Sequence, residues 1–284
     1  TKKPTMVTNL DQIKVSGEDG KAPKVEGAWP LAIAKTESKI LKEGTGEKVD
    51  KNATLKVNYV GVNGRTGKEF DSSYKRGTTA DFPLAQVAPG FAKGLVGKHQ
   101  GDRVLIMMPG SDGYDSQGGA PQAGIMKGDS LIFVVDIVAI PLPKATGETV
   151  KPVAGLPTVK EVQGAPAVTI GKATKPNKLV VQPLIKGKGA AVTAHDSIDV
   201  KYRTYAWSSG ELIEDGYSGE PVTGSMNSVI PGWKKGLIGQ TVGSRVMLIV
   251  PPAYSYPNGS TNPPVKKGET LIYVIDILSA QKES

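Results

Sequence analysis

Residues 54–60 (TLKVNYV) alternate between apolar and polar, with Leu55, Val57 and Tyr59 on one face and Lys56 and Asn58 on the other. A period of two marks a strand buried on one side. Residues 197–202 (SIDVKY) repeat the pattern with Ile198, Val200 and Tyr202, so both runs end their buried face on a tyrosine. Turn-forming residues follow each, Asn63-Gly64-Arg65-Thr66-Gly67 and Ser208-Ser209-Gly210, and the return segments carry Phe70-Asp71 and Ile213-Glu214. The spacing predicts two antiparallel hairpins. Residues 130–140 and 270–278 are apolar on both faces, as a central strand covered by a helix on one side would be, and their β-branched content argues against helix. Strands are also expected at 103–108 and 245–250, each followed by a loop that carries Tyr114 or Tyr256 near its start. Helical spacing appears once per half: Phe91 and Leu95, like Trp233 and Leu237, stand four apart. Pro-Gly in front and Gly97 or Gly239 behind hold each helix to about two turns.

These elements recur as a set. Residues 87–109 (VAPGFAKGLVGKHQGDRVLIMMP) return at 229–251 (VIPGWKKGLIGQTVGSRVMLIVP) with 11 of 23 positions identical. Self-similarity at a fixed offset means two copies of one domain, and 284 residues is the length of two ordinary domains. The expected division is a first domain at 1–142 with an N-terminal extension, a short semi-rigid linker at 143–152, and a second domain at 153–284. Residues 1–9 read as a polar tail. Residues 13–41 read as short strands and turns, broken by Gly17, Gly20, Pro23, Gly27 and Pro30. The offset is 143 from Gly44 to Asp71, 142 from Val87 to Tyr114 and 140 from Leu131 to Asp136, which confines insertions to loops around 72–86 and 115–130. Loops that vary on a fixed scaffold are where specificity usually resides.

Composition removes whole classes of chemistry. The chain has no cysteine, hence no disulfide framework, thiolate nucleophile or Cys-based zinc site. Its net charge of +8 comes from lysines spread along the sequence with only 5 arginines, and aromatics are 6%, the pattern of a lysine-studded surface and not of a nucleic-acid reader. No 18-residue apolar run provides a transmembrane segment. The two histidines, His99 and His195, sit at unmatched positions, so no His-based triad or metal site is repeated in both copies. No Gly-rich phosphate loop ends in Lys-Ser or Lys-Thr. No metal or other cofactor is expected.

What remains is a set of apolar residues arriving from separate elements: Tyr59, Phe70, Phe82, Val87, Phe91, Tyr114, Ile125 and Phe133. Each alone reads as core. Together, with tyrosines at a strand end and in a loop and Asp71 directly after Phe70, they suit a concave apolar pocket with a few polar groups at its rim.

The run VNYVG…GKEFDSS…VAPGFAKGL…GDRVLIMMP…GY…DSLIFVVDI, in this order and spacing, resembles the FKBP-type peptidyl-prolyl cis/trans isomerases, which also bind macrolide immunosuppressants. The resemblance covers residues 44–140 and, more loosely, 187–279; it leaves the N-terminal portion of each copy unexplained. It implies an α+β fold, a curved antiparallel β-sheet (half-barrel) wrapped around one short α-helix in each copy. It implies a first pocket of Tyr59, Phe70, Asp71, Val87, Ala88, Phe91, Tyr114, Ile125 and Phe133, with Phe91 as the floor where the family often has Trp. Arg76 matches a basic position that pairs near the Asp, and the Ala88 backbone N–H would donate to a substrate carbonyl. The matching second set is Tyr202, Ile213, Glu214, Val229, Ile230, Trp233, Tyr256, Val265 and Tyr273; it has the Trp floor but replaces Phe-Asp by Ile-Glu and has no matching Arg.

The implied activity is rotation of X-Pro bonds in polypeptide clients. The barrier of roughly 18–20 kcal/mol is amide resonance. A pocket that binds the twisted amide more tightly than the planar one lowers it without nucleophile, metal or cofactor. An acceleration of about 10⁵ needs about 7 kcal/mol. The implied role is a monomeric folding helper with the first copy the active one. The alternative is a prolyl-binding or chaperone scaffold with one or both pockets inactive. Two sandwiches of immunoglobulin type fit less well, since a core helix is predicted in each copy. The expected location is an exported bacterial one, secreted or anchored at the cell surface, with the cytoplasm as the alternative.

Overall fold

The strand and helix periods resolve into the same sheet twice. The computed structural model describes residues 2–283, and the chain divides into two units, Thr1–Ile140 and Pro141–Ser284. The first unit opens with β1 (Thr5–Met6), β2 (Lys14–Ser16), β3 (Lys24–Glu26) and β4 (Leu31–Ala32). Then come β5 (Glu37–Lys42), β6 (Thr54–Asn63), β7 (Glu69–Ser72), α1 (Ser73–Arg76), β8 (Ala80–Pro83), α2 (Pro89–Leu95) and β9 (Arg103–Met108). A small hairpin, β10 (Gly119–Ala120) and β11 (Ile125–Met126), precedes β12 (Leu131–Ala139). The sheet is antiparallel in the order β5-β9-β12-β6-β7, with β8 also on β6.

The second unit contains β13 (Gly147–Thr149), β14 (Thr158–Val162), β15 (Ala165–Thr169), β16 (Val180–Gly187), β17 (Asp196–Ala206), β18 (Leu212–Asp215) and β19 (Val222–Ser225). It closes with α3 (Pro231–Leu237), β20 (Arg245–Val250) and β21 (Leu271–Lys282). The strand order β13-β16-β20-β21-β17-β18, with β19 on β17, is that of the first sheet plus one edge strand. Both units are α+β, and the two hairpins of the sequence pattern are present as β6–β7 and β17–β18.

Each longer helix lies directly on a strand because glycines four apart face it. A Cβ on Gly94 would sit 2.7 Å from Ile106 Cδ1, and one on Gly236 would sit 2.6 Å from Leu248 Cδ2. Only a residue without Cβ permits that approach, which accounts for the recurrence of Pro-Gly-x-x-x-Gly at the head of both helices. The helix-facing core of the first unit is built on Leu55, Val57, Leu95, Ile106, Phe133 and Val135, all essentially solvent-free.

The opposite face of each sheet is covered as well, by the N-terminal portion of its own unit. Val7, Leu10, Ile13, Leu31 and Ile33 pack on Val60, Val62, Leu105, Met107, Ile132 and Val134. In the second unit Val159 and Val168 of the β14–β15 hairpin, with Leu156 and Ile170, pack on Tyr205, Met247, Ile249 and Ile272. The two-sided apolar character of β12 and β21 thus has two sources, a helix on one face and this cover on the other. Residues 1–9 are therefore not a tail through their length: Thr5–Met6 pairs in parallel with Leu31–Ala32, and Val7 is only 5% exposed. The stretch expected as a linker likewise contributes structure, since Gly147–Thr149 pairs with Ile185–Gly187 at the sheet edge.

An ion pair built on a buried arginine stands between each sheet and its cover. Arg103 binds Asp136 through Nε at 2.7 Å and Nη2 at 3.0 Å, and donates a further bond to the Lys21 carbonyl at 2.9 Å. Arg245 binds Asp276 with the same 2.7 and 3.0 Å geometry. Tyr74 donates its hydroxyl to Asp136, and Tyr217 lies with its ring 5.9 Å from the Arg245 guanidinium. Burial and the neighbouring Asp push both hydroxyl pKa values up.

Candidate active site

In the first unit, β6 delivers Tyr59 to the helix side of the sheet, β7 delivers Phe70 and Asp71, β8 delivers Phe82, α2 delivers Phe91 and β12 delivers Phe133. The rings form a connected wall and floor. Phe91 lies 4.5 Å from Phe133 and 4.9 Å from Phe82 between centroids, Tyr59 lies 5.0 Å from Phe82, and Phe70 stands edge-on to Phe133 at 5.6 Å. Gly61 makes the last contact possible, since a Cβ there would fall 2.7 Å from the Phe70 ring and 2.9 Å from that of Phe133.

Above this floor is a cavity of about 420 Å³ lined by Tyr59, Phe70, Asp71, Phe82, Val87, Ala88, Phe91, Tyr114 and Phe133. Gln86, Pro89, Gly113, Ser116 and Gln117 complete the rim. The sequence pattern places Pro89 at the head of the repeated helix but singles out none of the other four, which fall in short loops and turns without periodicity. Ile125 does not line the cavity; it is 3% exposed, on the β10–β11 hairpin, and packs into the core below. Arg76 does not line the cavity either.

The polar side of the cavity is one network. Asp71 accepts a hydrogen bond from the Tyr59 hydroxyl and pairs with Arg76, whose Nη2 also donates to the Tyr59 oxygen at 3.3 Å. The guanidinium stands 5.7 Å from the centre of the Tyr59 ring. The short helix α1 puts Arg76 there: Ser72 caps its start by accepting from the Lys75 N–H, and Gly77, at φ 72°, ends it. The Tyr59 pKa is pushed up to about 12, first by burial and then by its hydrogen bond to Asp71. Burial, with a smaller contribution from Asp71, also raises that of Tyr114. Both phenols are therefore protonated donors at neutral pH. Among the described residues the Tyr114 hydroxyl and the Ala88 backbone N–H have no hydrogen-bond partner. Two donors thus stand unused at the rim of an apolar cavity.

The second unit gathers Tyr202, Ile213, Val229, Ile230, Trp233, Tyr256, Val265 and Tyr273 around one cluster. Trp233 meets Tyr202 edge-on at 4.9 Å and Tyr273 edge-on at 5.5 Å. Glu214 accepts from the Tyr202 hydroxyl at 3.0 Å and from Thr204 Oγ1 at 2.8 Å. Strand register supplies a correspondence that the sequence repeat obscures. Phe82 stands opposite Leu55 on β6, and Gly224 stands opposite Ile198 on β17. The second copy therefore lacks one whole wall ring.

The sequence model described as FKBP-type peptidyl-prolyl cis-trans isomerase matches residues 45–138 and 188–278, well over half of the chain. The chain belongs to that family. A curated FK506-binding protein of Streptomyces anulatus is 40% identical over 100 residues, which is 34% of this chain and 80% of the relative. A probable FK506-binding protein of Corynebacterium glutamicum is 35% identical over 97 residues, 34% of this chain and 79% of the relative. FkpA of Escherichia coli, named as an FKBP-type isomerase, is 36% identical over 107 residues, 37% of this chain and 38% of the relative. A crystal structure of three FKBP domains of wheat FKBP73 aligns over 88% of this chain and 96% of its own length, at 19% identity and a TM-score of 0.37. The segments matched by the family begin after the N-terminal cover in both units, so the covers stand outside them.

Proposed function

We propose that the chain is a peptidyl-prolyl cis/trans isomerase whose turnover resides in the first pocket. The supporting observation is the Tyr59–Asp71–Arg76 network on one side of a 420 Å³ aromatic cavity whose rim carries two unused donors, Tyr114 and the Ala88 N–H. A proline ring on Phe91 loses water on both faces, and the apolar setting disfavours the planar amide, which is the more dipolar form. As the bond twists, the carbonyl oxygen turns toward the rim donors, which bind it more strongly there than in the ground state. Asp71, with its charge matched by Arg76, holds Tyr59 in place without leaving a bare charge in the cavity. The same cavity is proposed to accept a macrolide; its volume is within the range of small-molecule sites, and two relatives are named for FK506 binding.

The test is isomerisation of a prolyl peptide by the full chain. Asp71→Ala is expected to reduce kcat/KM about tenfold or more, and Glu214→Ala by less than about twofold. Loss confined to the Glu214 variant overturns the assignment. A second reading, in which the second copy binds prolyl segments without turning them over, is favoured by its missing wall ring and missing arginine. It predicts that delayed aggregation of an unfolded client survives Asp71→Ala.

A further inference from the structure

Glu214 carries a charge that the first copy has cancelled. In the first unit Asp71 is matched by Arg76. At the same place in the second unit, 143 residues on, stands Gly219, and Glu214 takes both its hydrogen bonds from neutral hydroxyls, those of Tyr202 and Thr204. Hydroxyl donors orient a carboxylate but do not neutralise it. Among the described residues no cation pairs with it: Arg203 is held by Asp215 at 2.9 Å, and Lys235 lies 5.3 Å from the centre of the Tyr254 ring. The charge reaches across the pocket. Burial raises the hydroxyl pKa values of Tyr202 and Tyr256, and Glu214 raises both further.

In the first copy Phe82 packs on the Tyr59 ring at 5.0 Å between centroids; the second copy has no ring at that position beside Tyr202, whose hydroxyl binds the carboxylate. A Cβ built on Gly224 would meet only Val229 Cγ1, at 3.5 Å, where the first copy places the whole Phe82 ring. The floor adds an unused donor, since Trp233 is 7% exposed and its indole N–H has no partner among the described residues. A half-buried anion, an apolar gap and an unpaired donor together describe a receptor for a long side chain with a cationic end, next to a carbonyl. Lysine and arginine bury their stems and keep their charge at a polar edge in this way.

We propose that the second pocket selects prolyl segments carrying a lysine or arginine beside the proline, with Glu214 receiving the cation and the gap at Gly224 its aliphatic stem. The inference rests on the second pocket being a prolyl-binding site. The first pocket, its Asp71 already paired and its gap filled by Phe82, has no such preference.

Two peptides test it on the ¹⁵N-labelled full chain: Ac-Ala-Lys-Pro-Phe-amide and its norleucine analogue, which keeps the stem and lacks the charge. The Trp233 indole N–H, distinguished from those of Trp29 and Trp207 by single Trp→Phe changes, reports the second pocket; the Ala88 amide reports the first. At low ionic strength the lysyl peptide is expected to bind at Trp233 about tenfold more tightly than the norleucyl one, a difference of about 1.4 kcal/mol. The preference should shrink with added salt, disappear in Glu214→Gln and fall in Gly219→Arg, which restores the missing cation. Equal affinities at Trp233 overturn the proposal while leaving prolyl binding intact. If neither peptide shifts Trp233 while both shift Ala88, the second pocket is not a prolyl site and the proposal fails with that reading. Silence at both reporters overturns the isomerase assignment itself.

Discussion

Phe82 and Gly224 occupy the same register position in two copies of one sheet, the first opposite Leu55 and the second opposite Ile198. Phe82 is buried between Tyr59 and Phe91, so its removal leaves a hole that neighbouring rings cannot close. Phe82→Ala is expected to cost the first unit about 3–5 kcal/mol in urea unfolding. Gly224→Phe is expected to be far milder and to change Trp233 fluorescence, because the new ring enters open space beside the floor. A larger cost for Gly224→Phe than for Phe82→Ala would contradict the register assignment.

Gly61 and Phe70 in the first copy correspond to Thr204 and Ile213 in the second. Gly61→Thr alone drives a Cβ into Phe70 and Phe133 at 2.7 and 2.9 Å, and should cost about 1–3 kcal/mol as an overpacked core. Combining it with Phe70→Ile reproduces the pair that the second copy uses. The double variant should recover at least half of the loss; additive costs in a double-mutant cycle would show that the two positions are not coupled.

Tyr59 titrates at about 12 in the folded chain against 10.0 for the free side chain. Its raised pKa contributes stability that is fully present below pH 10 and is lost as pH rises from about 10 toward about 12, since the unfolded chain ionises first. Each such group adds a slope of about 1.4 kcal/mol per pH unit in that window. Urea unfolding of the first unit at pH 9, 10 and 11 should therefore show a steeper alkaline decline in the wild-type chain than in Tyr59→Phe. Parallel declines would mean that Tyr59 ionises normally.

Arg103 is 5% exposed and makes three hydrogen bonds, two to Asp136 and one to the Lys21 carbonyl. Arg103→Met leaves the half-buried Asp136 without its cation and is expected to cost about 3 kcal/mol, the low end for a broken buried pair. Adding Asp136→Leu should return most of that, as replacement of a whole buried pair by apolar residues usually does. The measurement is equilibrium unfolding followed by near-ultraviolet circular dichroism.

The pocket walls were legible because they fall on the repeated hairpin, on the long strand β12 and on the repeated helix, where the pattern of one copy is matched in the other. Tyr59, Phe70, Asp71, Phe91 and Phe133 are all of this kind. The counterpart of Phe82 was not, because it lies beyond the first length-changing loop, and only cross-strand pairing shows that it is Gly224. Helix α1 has four residues, too few to show a period, although Ser72 and Gly77 flank it with ordinary capping chemistry. Ile125 entered the pocket through the resemblance, but on the β10–β11 hairpin it is 3% exposed and packs into the core. The covers were illegible for another reason: strands of two or three residues have no pattern to read, and their apolar side is evident only against the sheet they protect.

The pairing of Gly147–Thr149 with Ile185–Gly187 also determines where the second copy can be cut from the first. A fragment beginning at residue 153 would expose the unpaired N–H and C=O groups of β16, a bare edge that invites other strands to add on. A fragment beginning before Gly147 carries its own edge guard. Association of the shorter fragment would then reflect where it was cut and not the quaternary state of the intact protein.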